Sequence, residues 1–362
     1  MPAWDGDRTL VMAFGGSGLL DDPGAVRELA AAYPGSCVIG CSTAGEIHAD
    51  TVSDDTLTVA VARFSHTRLT HVHRQVSSVG ESREVGRTIG KELVAADEEL
   101  RAIFVLSDGL AVNGSTLTAG LVDGTEGRTV ITGGLAGDGP RFERTWVLVD
   151  GEPRRDMVSA VGFGGSRIEV GHGSRGGWDI FGPERRVTRS VDNVLFELDG
   201  QPALQLYKTY LGDRAAGLPA TALLFPLAVR VPGADERQVV RTIVGVDEDA
   251  QSMTFAGDVP TGSLAQLMRA NFDRLIDGAN EAAVAIGLGP GNRTLAVAVS
   301  CVGRRLLLGR RTEDELDATL SGLPAGTDLV GFYSYGEISP IAAGTCDLHN
   351  QTMTVTTFRE GD

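Results

Sequence analysis

The stretch "VIGCSTAGEI", residues 38–47, runs strand-forming and small residues into a Gly-bracketed loop that ends on a lone acid between Gly45 and Ile47. A single carboxylate between a buried strand and an apolar residue is either a solvated loop residue or the polar anchor of a pocket, and one copy does not decide. The phrase recurs. Residues 329–338 read "LVGFYSYGEI", so Gly331 to Ile338 repeats the spacing of Gly40 to Ile47. A looser version at 130–138, "VITGGLAGD", sets Gly137 and Asp138 in the places of Gly45 and Glu46.

The flanks repeat as well. "TLVMAF" (9–14) reads as a buried strand, "PGAVRELAAAY" as a helix with Pro at its start, and "CVIG" as the next strand. The second copy offers "AIFVLS", a helix near "STLTAGLV" and "TVIT". The third offers "LAVAVSCV", "TEDELDATLSGL" and "DLVG", with Thr312 and Glu315 spaced as a capping box. Strand-to-acid separations are equal in the first two copies (Val11 to Glu46, Ile103 to Asp138) and longer in the third. Each acid is followed by a strand that opens with Thr: "TLTVAV", "TWVLV" and "TMTVTTF". The pattern predicts an α/β fold of mixed sheets built from duplicated β-α-β-loop-β units, with pseudo-symmetric repeats in two domains. Domain one is expected over 1–217, with repeats at about 9–75 and 101–172, and domain two over 218–362, the boundary falling where Gly217 and Pro219 interrupt the pattern. Further helices are expected at the end of 186–212 and over "SLAQLMRANFDRLIDGANEAA" (263–283), a hairpin around "VDEDAQ", and a free surface loop at "LGPGN" (288–292).

Composition sets limits. The 362 residues can bury more than one core. Gly reaches 48 residues, about 13% of the chain against a usual ~7%, scattered after apolar runs as turns and close backbone approaches. Forty-eight acids against 32 bases give a net charge of −16, which repels nucleic acid and anionic lipid alike. No nucleic-acid or membrane partner is expected. The four Cys form no C-x-x-C pair and fall mostly in apolar runs, as buried thiols in a reducing compartment do. With no basic leader and no apolar run of ~18 residues, a cytoplasmic location is expected.

Loops that follow buried strands bring backbone N–H groups to a sheet edge, where they can hold a carboxylate while a neighbouring acid pairs an ammonium. Those are the two ends of an amino acid. Glu46 and Glu337 are expected to hold the ammonium, and Ser42, Thr43, Ser334 and backbone N–H groups the carboxylate. "GCSTAG" misses the G-x-S-x-G nucleophile elbow by one residue, and Cys41 and Cys301 sit at different places in their repeats, so an enzyme acting on such a ligand has little support. His172 and His349 lie beside turns, where a ligand or a haem iron could reach them.

With these residues in view the chain resembles a FIST protein with N-terminal and C-terminal FIST domains in tandem. "GCSTAGEI", "TGGLAGDG", "VTRSVDNVLFELDGQPAL" and "LPATALLFPL" carry the first half, and "SCVGRR", "GFYSYGEISP" and "HNQTMTV" the second. The resemblance places Gly40, Cys41, Ser42, Thr43, Gly45 and Glu46, then Gly137 and Asp138, then Tyr333, Ser334, Tyr335, Gly336 and Glu337 in the family pattern, with Arg304, Arg305 and Asn350 in its shorter phrases. It implies a sensory module for small ligands, amino acids foremost, with no cofactor expected. Some bacterial members are haem-binding nitric oxide sensors that work with histidine kinases, an alternative that would use His172 as ligand. No F-box, kinase or receiver region is recognised, so the resemblance implies a separate signalling partner such as a histidine kinase.

Overall fold

The computed structural model describes residues 2–361 other than 219, 231–237, 290, 343 and 344. Pro219, at the expected domain boundary, and Pro290, in the expected surface loop, lie outside the described residues. The architecture is mixed α/β, with several sheets and packed helices.

Three sheets are built around a parallel pair: Thr9–Gly15 with Cys37–Ser42, Leu100–Ser107 with Val130–Leu135, and Thr294–Cys301 with Thr327–Ser334. These apolar runs are buried almost throughout, as strands covered on both faces must be. On one flank each pair takes an antiparallel strand from shortly downstream: Leu57–Arg63, Met157–Gly164 and Met353–Glu360. On the other flank the strand comes from a different sheet's segment. Glu46–His48 pairs with Thr327–Ser334, Gly336–Ala342 pairs with Val130–Leu135, and Val147–Val149 meets Cys37–Ser42 through Cys41. Each segment thus completes a neighbour's sheet, and the exchange closes in a ring.

The inner faces meet around aromatic rings. Phe14 stacks on Phe332 at 4.8 Å, and Phe358 touches Phe163 at 4.5 Å and Phe104 at 6.1 Å, so all three sheets contribute. Outside, Ser82–Ala96 packs on Gly114–Thr125 and Phe272–Val284 on Thr312–Gly322, whereas Gly24–Ala32 packs on the first sheet beside the short turn of helix Ser17–Leu20. A fourth, nine-stranded sheet from the 179–269 region packs with the Ala203–Leu211 helix, whose Leu204, Tyr207 and Leu211 are buried. Among the described residues no helix is long and apolar enough to cross a membrane.

Three expectations need correction. Residues Leu264–Arg269 form a strand, and only Phe272–Val284 is helical, started by the Asn271 side chain accepting from Arg274 N–H. The Thr312/Glu315 capping box does not form, because Glu315 turns inward to Arg304 and Thr312 Oγ1 donates to the Gly309 carbonyl. The third concerns the loops themselves. Ala44 N–H donates to Tyr333 O (2.7 Å), Gly137 N–H to Ser42 O (3.0 Å) and Tyr335 N–H to Leu135 O (3.2 Å), a ring of three equivalent bonds. This ring places Gly137 where Ala44 and Tyr335 stand, and Asp138 where Gly45 and Gly336 stand. Val11 sits opposite Val38 but Ile103 sits opposite Ile131, so the second connection is one residue longer and the equal spacing in sequence hides a shift of one.

Candidate functional site

The acids of the two closest phrases are bonded alike. Glu46 accepts from Thr43 Oγ1 with one oxygen and from Thr56 N–H (2.9 Å) and Oγ1 (2.7 Å) with the other. Glu337 accepts from Ser334 Oγ (2.9 Å), and from Thr352 N–H (3.1 Å) and Oγ1 (2.8 Å). Each carboxylate thereby ties its loop to the Thr before the returning strand, which is why the phrase and the downstream Thr occur together. Burial raises the pKa of both, that of Glu337 to about 8. Asp138 is fully enclosed, but the Tyr335 hydroxyl and the N–H groups of Phe142, Glu143 and Arg144 outweigh its burial and hold its pKa below the usual carboxylate range.

Beside the first loop lies a cleft of about 800 Å³. Its floor is Thr43, Ala44, Gly45 and Glu46, and its walls are Asp54 and Asp55, Gly139 to Arg141, and Val302 to Glu313 from the third sheet's connection. Arg305 spans the floor. It donates to Ala44 O (2.5 Å) and to both oxygens of Asp54 (2.7 and 2.8 Å), and it lies 5.6 Å over the Tyr333 ring. Gly45 has φ +134°, and a Cβ there would collide with that guanidinium, so both backbone and space call for glycine. Around the rim, Arg310, Glu313 and Asp55 have no side-chain partner among the described residues, and Arg141 makes one hydrogen bond, to Ser17 (3.1 Å), and one long ion pair, to Asp138 (3.8 Å). The cleft therefore presents both signs of charge in reach of solvent.

Of the residues singled out in the sequence, Thr43, Gly45 and Glu46 line this cleft. Cys41 and Ser42 are buried, with Ser42 Oγ accepting from Trp146 N–H at 3.0 Å and burial pushing the Cys41 thiol well up. Gly137, Asp138, Tyr333, Ser334, Tyr335, Gly336 and Glu337 do not line it. Tyr333 donates to Glu315 (2.8 Å), and Tyr335 binds Asp138 and stacks on Phe142 at 4.3 Å. The sequence reading placed Glu46 and Glu337 around one ligand, whereas here Glu337 is enclosed and lies off this cleft. His172 is a half-buried residue in mid-strand opposite Thr356, and burial lowers its pKa. Arg141, Arg310 and Glu313 carried no signal beyond the basic phrase around Arg304 and Arg305. Among the described residues no group of three His, Cys, Asp or Glu side chains converges as metal ligands.

The FIST N domain matches residues 9–201 and the FIST C domain residues 203–340. The chain belongs to the FIST family. FIST domains are small-molecule-binding sensory modules. No curated protein sequence matches significantly. Among solved structures, a chorismatase is similar at 10% identity and a TM-score of 0.37, over 99% of this chain and 94% of that one. A cyanuric acid hydrolase from A. caulinodans is similar at 13% identity and a TM-score of 0.19, over 81% of this chain and 99% of the other.

Proposed function

We propose that this FIST protein is a cytoplasmic sensor that binds an amino acid or a related zwitterion in the cleft above Gly45 and signals through a separate protein such as a histidine kinase. One observation carries the reading: charges of both signs without a side-chain partner, Arg310 against Glu313 and Asp55, face one cleft. Arg310 and Arg141 face the ligand carboxylate. Glu313, Asp55 and the cleft side of Glu46 face its ammonium. Arg305, already committed to Asp54 and Ala44, fixes the floor rather than the ligand. The same reading treats the three sheets that share a strand order as pseudo-symmetric copies of one unit, with two domains meeting near residue 217.

A thermal-shift screen against the proteinogenic amino acids and polyamines tests it. A ligand at 100 times its Kd should stabilise the native state by ~2.7 kcal/mol. Titration calorimetry on the best hit should then show Arg310→Ala weakening binding by about tenfold, one charge-assisted bond being worth ~1.5–3 kcal/mol, with the melting temperature unchanged. Binding that is indifferent to Arg310, Arg141 and Glu313 would remove the ligand from this cleft.

A further inference from the structure

The charges that line the cleft above Gly45 divide into those already held and those left over. Arg305 is held by Asp54, and Arg141 is offset by the enclosed Asp138, 3.8 Å away. Both oxygens of Glu46 already accept from Thr43 and Thr56. Three side chains of the lining remain without a partner among the described residues: one cation, Arg310, and two anions, Glu313 and Asp55. A ligand with one ammonium and one carboxylate would satisfy Arg310 and one of the anions. The other anion would stay unmatched.

The leftover groups belong to two segments. Arg310 and Glu313 stand three residues apart where the Gly309–Arg311 turn runs into the Thr312–Gly322 helix. Asp55 lies in the turn before Leu57–Arg63, with its backbone in the left-handed region (φ +54°). The same cleft carries an apolar stripe. Val302 and Leu306, one turn apart in Val302–Leu308, line it together with Val52, and Leu306 is left 43% exposed. Such a stripe suits the methylene stem of a long cationic side chain, which packs along apolar surface while its charged head reaches a polar group.

Resting on the amino-acid reading of this cleft, we infer that its ligand is a basic amino acid of the lysine, ornithine or arginine type. Arg310 takes the carboxylate and Glu313 the α-ammonium, the Val302 and Leu306 face takes the stem, and Asp55 takes the side-chain cation. Two cations and one anion on the ligand then match the two anions and one cation left over on the protein. At longer range the net charge of −16 favours a cationic ligand over a neutral or acidic one.

Calorimetric titration of the full chain with L-lysine, L-ornithine, L-arginine, L-norleucine, L-glutamate and cadaverine tests the inference. Norleucine keeps the lysine stem and lacks the distal ammonium, and cadaverine keeps both cations and lacks the carboxylate. The best of the three basic amino acids should bind at least about tenfold tighter than norleucine, glutamate or cadaverine. Asp55→Asn, a change that the left-handed backbone tolerates, should weaken that basic amino acid about fivefold and leave norleucine unchanged. A neutral or acidic amino acid that binds as tightly as the basic ones overturns the inference while the amino-acid reading stands, and so does an Asp55→Asn variant that binds the basic amino acid as tightly as the unaltered chain. Cadaverine binding as tightly as lysine, or no binding by any amino acid, overturns both.

Discussion

The Ser42–Glu46 and Tyr333–Glu337 loops share a phrase, a carboxylate and the same hydroxyl and N–H partners, yet one floors an open cleft and the other is sealed. Their surroundings differ. A Cβ on Gly45 would strike the Arg305 guanidinium, whereas one on Gly336 would meet the Leu348 methyl at 2.7 Å, with Leu135 behind it. Tyr333 and the Ser300 hydroxyl close on Glu315, which is held by Arg304 at 2.6 Å with both side chains fully buried. The phrase is thus a device for tying a loop to the returning strand. Whether the loop meets a ligand depends on what the neighbouring segment lays across it.

The largest effect expected from that difference lies between the two adjacent arginines. Glu315→Ala leaves Arg304 buried without its counter-ion and should cost about 3–5 kcal/mol. Asp54→Ala, which removes the exposed partner of Arg305, should cost under about 1 kcal/mol. Urea unfolding of both variants measures the contrast, and equal costs would break it. Next, Glu337→Ala strands the Thr352 N–H in the interior and should cost about 1–3 kcal/mol. Glu46→Ala should cost less, since water can enter from the cleft, but should also weaken the ligand identified in the thermal-shift screen. Melting curves beside calorimetric titration separate the two.

The smallest effect is a slope. The folded pKa of Glu337 lies at about 8, above its ordinary value of 4.5, so the native state holds an extra proton between those pH values. Stability should therefore fall as pH rises from about 4.5 to about 8, through the unfolded and then the folded pKa. Glu337→Gln should flatten that decline, as read from melting temperatures across the range. Because Glu46 borders the cleft and is less enclosed, Glu46→Gln should change the slope less.

Much of the local structure was legible because local rules decide it. The buried runs 9–14, 102–107 and 295–302 announced the central strands, and the loop acids announced a repeated anchor. The segment 264–269 misled because Leu, Ala, Gln, Met and Arg favour helix in isolation, while pairing with Leu227–Arg230 imposes a strand. Glu315 misled because a buried arginine eleven residues earlier outcompetes a backbone N–H. In the cleft, Thr43, Gly45 and Glu46 were visible as a motif. Arg141, Arg310 and Glu313 were not, since segments far apart in the chain bring them together and each looks like an ordinary surface charge alone.

The closed strand exchange has a consequence for how the molecule comes into being. Glu46–His48 pairs locally with Thr51–Ser53 but joins a larger sheet through Thr327–Ser334, and among the described residues the free side of Val130–Leu135 is completed by Gly336–Ala342. Emerging from the ribosome, the first half therefore exposes unfinished sheet edges until the last segment is made. Such a topology has a high contact order, and its folding should be slow, late and all-or-none across the three sheets. A truncation that removes only the final strands should leave no stable remnant, and the cell would register it as an aggregation-prone nascent chain.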